Sequence, residues 1–422
     1  MIETNLQHLY ARERTKDMKQ ISGGVTAAAG FTAAGIHCGV KNKNRAKKDL
    51  ALIVSQQDCA AAAVYTRNRV KAAPIYVTME HLENGVARAI VCNSGNANAC
   101  APMGHENAQI MCDVAGEALG ISPNDIVVSS TGVIGQTLNI KVLEEGIPKA
   151  AAVLSKTGSD DAAHAIMTTD TTKKEFALQV QIGGKTVTLG GIAKGSGMIH
   201  PNMGTMLCFI TTDAAITPEM LQAALSDITA RTFNRVVVDG DTSTNDMCVV
   251  LANGMAENPL IEWKDDNYKV FYAALHQLCE AFAKSIAADG EGASRLITCQ
   301  VRNARSEETA ERMAMAVISS PLVKTAMFGA DANWGRVLCA MGYSKAPFRP
   351  EHVDIQFQSV VGSIVVCKGG EGLAFDEETA KSILSQDEVI IDIDLQEGHD
   401  NATAWGCDLT YDYVKINGDY RT

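Results

Sequence analysis

Two rhythms of apolar positions run along this chain. Helical spacing places Ile110, Met111, Val114, Ala115 and Leu119 on one face between Glu106 and Leu119, and Phe271, Leu275, Leu278, Phe282 and Ile286 on one face between Asn267 and Ala288. Further helices are expected from Thr217-Pro218 to about Thr232, over Ser306–Ile318 and over Glu377–Leu384. Short apolar or alternating runs predict strands at Leu50–Ser55, Ala61–Thr66, Ala87–Cys92, Asp125–Ser130, Arg235–Asp239, Val353–Val361 and Val389–Leu395. Glu175–Ile182 and Lys185–Leu189 alternate about Gly183-Gly184, the signature of a two-residue hairpin. This interleaving predicts an α/β (α+β) chain of stacked sheets flanked by helices, with a smaller α/β unit from about residue 345.

One stretch breaks both rhythms. From Ala193 to Asp213 a segment with glycines at 195, 197 and 204 and a proline at 201 runs straight into the apolar Met206–Ile210, with Thr205 at the join. A flexible peptide before a strand-leading threonine is what the hydroxyl needs to attack the carbonyl of its own preceding residue, Gly204. Cleavage there would give Thr205 a free α-amine beside its hydroxyl, a nucleophile carrying its own base. A plain loop before a core strand fits the same residues, so the neighbours must decide.

Several neighbours are suited to such chemistry. Thr131-Gly132, at the end of the 125–130 strand, can offer a hydroxyl and a backbone N–H in one direction, as oxyanion stabilisation requires; a simple turn would look the same. The polar cluster Asn93–Asn98 is either ligand-facing or turn chemistry. Glu291, between two glycines, is expected on exposed backbone, where a carboxylate can face a small ligand or simply be a solvated loop acid. Gly240–Asp246 has acidic spacing but lacks the sixth-position glycine and closing glutamate of a calcium loop, so it is read as a polar loop facing the Thr205 pocket. Gly184-Lys-Thr186 is no phosphate loop, because Gln179 stands where that motif needs glycine.

Composition narrows the classes. The chain has 46% hydrophobic and 20% charged residues, enough apolar content for a sizeable core. A net charge of −12 and a pI near 5.3 argue against nucleic acid or an anionic membrane surface as partner. The 12 cysteines stand singly with no metal-binding spacing, which suggests a reducing compartment and no metal. No leader-like apolar core occupies the first 20 residues, and a cytoplasmic protein is expected.

With these pieces placed, the chain resembles the ornithine acetyltransferase (ArgJ) family of arginine biosynthesis over nearly its whole length. The matching motifs include Gly23-Gly-Val-Thr-Ala27, Asn68-Arg-Val-Lys-Ala-Ala73, Cys92-Asn-Ser-Gly-Asn-Ala-Asn-Ala-Cys100 and Ser130-Thr-Gly-Val-Ile-Gly135. Lys194-Gly-Ser-Gly-Met-Ile-His-Pro-Asn-Met-Gly-Thr-Met-Leu207, Val238–Asp246, Gly290-Glu-Gly-Ala293, Phe328–Arg336 and Tyr413–Thr422 follow in order.

The resemblance implies a self-cleaving enzyme that moves acetyl from N-acetylornithine to glutamate through an acetyl-enzyme intermediate. It also implies an αββα sandwich like that of N-terminal-nucleophile enzymes. Thr205 would be the nucleophile and new N-terminus, Thr131 and Gly132 the oxyanion donors, and Thr168, Lys194, Glu291, Asn417 and Thr422 the substrate-binding residues. The chain would divide into an α fragment, 1–204, and a β fragment, 205–422, two copies of each forming a heterotetramer. No cofactor is implied, although acetyl-coenzyme A is a possible second acetyl donor. One departure falls at the centre, since the family usually has alanine where this chain has Gly204. Two other readings share these residues: an N-terminal-threonine amidase or aminopeptidase passing the acyl group to water, and a non-catalytic amino-acid-binding protein.

Overall fold

A computed structural model of the chain describes residues 18–41, 47–200 and 206–419. Gly204, Thr205 and Thr422 therefore lie outside the described residues. The chain begins β1 (Lys19–Ile21), β2 (Phe31–Ile36), β3 (Leu50–Tyr65), α1 (Ala73–His81), β4 (Val86–Asn96), α2 (Gly104–Leu119) and β5 (Ile126–Val133). It continues α3 (Ile140–Ala152), α4 (Ser159–Ile166), β6 (Lys174–Ile182), β7 (Lys185–Lys194), β8 (Leu207–Thr212), α5 (Pro218–Arg231), β9 (Val236–Val237), β10 (Met247–Ala252) and α6 (Asp266–Ala288). Then come β11 (Leu296–Ala304), α7 (Glu307–Ser319), α8 (Pro321–Phe328), α9 (Trp334–Gly342), β12 (Asp354–Ser359), β13 (Gly362–Lys368) and β14 (Glu371–Gly372). The last elements are α10 (Glu377–Leu384), β15 (Glu388–Asp394), β16 (Asp400–Cys407) and α11 (Tyr411–Gly418). The mixed α/β class and the two sheets agree with the sequence reading.

Two compact units share this chain. The first holds the described residues of Met1–Gly195, Asn202–Ala230 and Thr242–Phe282; the second holds those of Ser196–Pro201, Arg231–Asp241 and Ala283–Thr422.

The first unit is built on a nine-stranded sheet, ordered β1-β6-β7-β8-β10-β3-β4-β5, with β2 on β3. Its strands read as continuous apolar runs because both faces are covered. Along β4, Ala89 and Val91 pack with Val77, Met111, Leu143 and Ile147 from α1, α2 and α3, while Ile90 and Cys92 face the opposite core with Phe209, Val249 and Ile166. The period of two thus serves two cores at once. The expected hairpin is present: Gly183 and Gly184 have φ of 56° and 80°, the left-handed pair that a tight turn between β6 and β7 requires.

Differences from the sequence reading have local causes. The two strands expected at 50–55 and 61–66 are one, β3, whose pairing with β4 shifts between Val54 and Cys59 where Gln56, Gln57 and Asp58 are exposed. Those three polar residues look like a loop in sequence, but partner strands on both sides keep the backbone extended. β4 and β5 run on through Asn93–Asn96 and Thr131–Val133, pairing in parallel across residues read as turns. The strand expected at 235–239 shrinks to β9, and helices α1, α3, α4, α8 and α9 were not among the elements expected from the sequence.

The second unit carries a seven-stranded sheet, β14-β13-β12-β15-β11-β16-β9. Ile297, Cys299 and Val301 of β11 and Val389, Ile391 and Ile393 of β15 face a core shared with α7 to α10. On the other face Arg302 pairs with Asp392, Nε to Oδ1 at 2.7 Å, so polar and apolar positions alternate cleanly. Ser306, Asp376 and Thr410 cap α7, α10 and α11 by accepting from the amides of Thr309, Thr379 and Tyr413. Among the described residues no helix is long and apolar enough to cross a membrane. Nine of the twelve cysteines are buried and none is paired.

Candidate active site

In the first unit β5 delivers Thr131 and Gly132 beside β4. Gly132 has φ of 134°, and a Cβ there would sit 2.4 Å from the carbonyl carbon of Gly95 and 2.5 Å from the amide of Asn96. Only glycine fits that backbone approach. Thr131 is buried, and Lys194, buried at the end of β7, brings its Nζ to 3.4 Å from Thr131 Oγ1. Residues 63 positions apart thus meet at strand ends.

The polar cluster at the end of β4 holds this strand end. Asn93 accepts from Ser130 Oγ at 2.6 Å and donates to the Asn96 carbonyl at 3.0 Å, and Asn98 Nδ2 donates to the Gly104 carbonyl at 2.8 Å. Asn245 Nδ2 donates to the carbonyls of Ala97 and Ser130 at 2.7 and 2.8 Å, clamping the residue before Thr131. The amide nitrogens of Asn93, Asn98 and Asn245 are committed to backbone carbonyls, so these side chains hold the paired ends of β4 and β5 in place.

The loop before β10 also ties down the chain just after Thr205. Asp246 Oδ1 accepts from the Met206 amide at 2.9 Å, while its Oδ2 has no hydrogen-bond partner among the described residues. Burial pushes the Asp246 carboxyl well above its ordinary range against the opposing pull of the Met206 N–H and Lys194. The loop itself is held by the 66–72 segment: Thr66 Oγ1 donates to the Ser243 carbonyl and Asn68 Nδ2 to that of Thr242, at 2.7 and 2.9 Å. Asn245 and Asp246 lay inside the loop singled out in sequence, but nothing local distinguished them from its other polar residues.

Thr168 sits in the turn after α4. Its amide donates to Asp170 Oδ2 at 3.0 Å, and Asp170 Oδ1 accepts from the Gly195 amide at 2.7 Å and from Lys174 Nζ at 2.8 Å. Burial would raise the Asp170 carboxyl, but Lys194, Lys174 and the Gly195 N–H outweigh it and hold it at about 2. Neither Asp170 nor Lys174 was marked by the sequence reading.

In the second unit Glu291 is buried, contrary to the exposed position expected from its flanking glycines. Its amide donates to the Ser196 carbonyl at 2.9 Å, and its Oε2 accepts from Asn417 Nδ2 on α11 at 2.8 Å. Gly197 lies against its carboxylate so closely that a Cβ would stand 2.3 Å from Oε2. Packing of α11 over Gly292, fixed by Thr410 Oγ1 donating to the Gly292 carbonyl at 2.6 Å, is what covers the loop. Asp239 accepts from the amides of Met198 and Ile199 at 2.6 and 2.8 Å; burial raises its carboxyl against those bonds.

Thr131, Gly132, Thr168 and Lys194 are thus described in the first unit and Glu291 and Asn417 in the second. Among the described residues no group of acidic, histidine or cysteine side chains is arranged to hold a metal ion.

These features define a mixed α/β protein whose candidate polar groups lie, within each unit, at strand ends and in the loops that follow them. The chain belongs to the ArgJ family, which it matches over residues 32–422. It is 53% identical over 406 residues to the arginine biosynthesis bifunctional protein ArgJ of Symbiobacterium thermophilum, covering 96% of this chain and all of that one. The protein of the same name from Bacillus subtilis is 47% identical over 407 residues, 96% of this chain and 98% of that one. Among solved structures, ornithine acetyltransferase from Mycobacterium tuberculosis, complexed with ornithine, is 37% identical over 44% of this chain and 98% of its own, with a TM-score of 0.40.

Proposed function

We propose that this protein is a self-cleaving acetyltransferase of arginine biosynthesis that moves acetyl from N-acetylornithine to glutamate through an acetyl-Thr205 intermediate. The observation that carries the reading is the approach of Lys194 Nζ to Thr131 Oγ1, 3.4 Å, which joins two residues assigned from separate motifs. Near-complete matches to proteins named for bifunctional arginine biosynthesis support it.

In the first reaction the Thr205 hydroxyl attacks the Gly204 carbonyl, the Gly204–Thr205 amide breaks, and the proton lost by oxygen passes to the released nitrogen. Water then hydrolyses the ester, leaving a carboxylate on Gly204 and a free amine on Thr205. An α-amine ordinarily titrates at about 7.7–8.0, so this one can take the hydroxyl proton as Thr205 attacks the acetyl carbonyl. The oxyanion is stabilised by the Thr131 hydroxyl and the Gly132 N–H, and ornithine leaves with the proton on its α-amine. The neutral amine of glutamate attacks the acetyl ester, the acyl C–O bond to Thr205 breaks, and the proton lost by the attacking nitrogen passes through the Thr205 amine to its oxygen, regenerating Thr205.

Lys194 serves a substrate carboxylate and Glu291, oriented by Asn417, the distal ammonium of ornithine. Thr168 and Thr422 complete the substrate contacts. Acetyl-coenzyme A is a second donor in this reading, no cofactor or metal takes part, and the working form is a cytoplasmic heterotetramer of two 1–204 and two 205–422 fragments.

Denaturing electrophoresis and an acetyl-transfer assay test it. Two bands of similar size and ornithine release that depends on glutamate are expected. Release indifferent to glutamate would instead support an N-terminal-threonine amidase, and a single intact band would remove the mechanism altogether.

A further inference from the structure

One carboxylate ties the backbone of Thr168, assigned above to substrate, to that of Gly195, the chain neighbour of Lys194. Asp170 lies in the turn between α4 and β6 with its side chain fully buried. Both its oxygens are occupied, Oδ1 by the Gly195 amide at 2.7 Å and Lys174 Nζ at 2.8 Å, Oδ2 by the Thr168 amide at 3.0 Å. Lys174, equally buried, opens β6 opposite Ala193 of β7, so its ammonium arrives beside the strand end that bears Lys194. Thr168 and Asp170 also line a cavity of about 360 Å³ with Lys41, Lys48, Asp161 and His164, a lining that does not include Lys194.

We propose that Asp170, clamped by Lys174, is a positioning residue for the amino-acid substrate, setting the distance between Thr168 and the end of β7 so that Thr168 and Lys194 engage one ligand. This rests on the substrate-binding roles given to Thr168 and Lys194 above. A buried carboxylate that accepts from two backbone amides and an ammonium is a stiff cross-link, because each unmade bond would leave a donor stranded in a low-dielectric interior. Without it the two binding groups move relative to each other. Ground state and transition state then lose contact alike, so KM rises while kcat holds.

Asp170→Asn alone would strand the Lys174 ammonium without its counter-charge and threaten folding. The informative protein is the double variant Asp170→Asn, Lys174→Met, in which the buried charges leave together. It is expected to cleave itself like the wild type, to raise KM for N-acetylornithine about tenfold and to keep kcat within about threefold. A folded double variant with wild-type KM overturns the proposal.

Amide hydrogen exchange on the wild-type protein supplies a measurement that needs no variant. The amides of Thr168 and Gly195 should be protected together and gain protection together when N-acetylornithine is added, and independent responses overturn the cross-link. If the wild type transfers no acetyl to glutamate, the proposed function falls; wild-type transfer with unchanged KM in the variant removes only the role of Asp170.

Discussion

Replacing Gly132 with alanine probes the strand end that carries the proposed oxyanion donors. The perturbation has two parts that can be separated. A φ of 134° lies where side-chain-bearing residues are strained, at a cost of about 1–3 kcal/mol. The new Cβ also falls 2.4 and 2.5 Å from backbone atoms of Gly95 and Asn96, where no flexible side chain can yield. Overpacking of that kind costs about 1–3 kcal/mol more, giving about 2–6 kcal/mol in all. Gly120→Ala is the control: its φ of 67° is also left-handed, but nothing lies within 4 Å of its added Cβ, so about 1–2 kcal/mol is expected. Urea unfolding of the two variants measures the difference, and the acetyl-transfer rate of Gly132→Ala should fall with the displacement of the 132 amide. A Gly132→Ala protein no less stable than Gly120→Ala would refute the steric argument and the placement of β5 against β4 behind it.

Other outcomes follow from the same contacts. Thr205→Ala should give one uncleaved, inactive chain on denaturing electrophoresis, and wild-type activity would remove Thr205 from the mechanism. Asn245→Ala leaves the Ala97 and Ser130 carbonyls without the amide that binds both, so urea unfolding should show a loss of about 2–4 kcal/mol together with slower acetyl transfer. Phe282, fully buried and edge-on to Phe176 with ring centroids 5.1 Å apart, should cost about 3–5 kcal/mol when cut to alanine, read as a lowered unfolding midpoint. Asp170 titrates at about 2 when folded, below the ordinary aspartate value of 3.8, so its contribution is present above pH ~4 and is lost as pH falls toward 2. Unfolding free energies measured from pH 5 to pH 2 should therefore fall more steeply, by about 2 kcal/mol, in the wild type than in the Asp170→Asn, Lys174→Met protein.

How far the sequence reaches depends on the range of the interaction that makes each feature. Helix α6 was legible because its apolar stripe repeats from Phe271 to Ile286, and the β6–β7 hairpin because two glycines permit a turn that few other residues allow. Thr131-Gly132 and Glu291 were raised as candidates by local chemistry and Lys194 by motif order, but no local signal separated them from turns and solvated loops. The sequence alone determined the alternation of helix and strand, the glycine-rich approach to Thr205 and the family to which the chain belongs.

Tertiary structure decided the rest, because the deciding partners are far away in the chain. β3 is one strand only because β2, β4 and β10 pair along it. Glu291 is buried because Asn417, 126 residues later, packs over it, and the Met206 amide is held by Asp246 from 40 residues away. Asp170 shows the limit most plainly: a short polar run of threonines around one aspartate reads as solvated turn, and becomes a buried junction only when β7 brings Gly195 and Lys194 alongside. A buried charge is tolerated only with such partners, and no local pattern of residues can announce partners that the fold supplies.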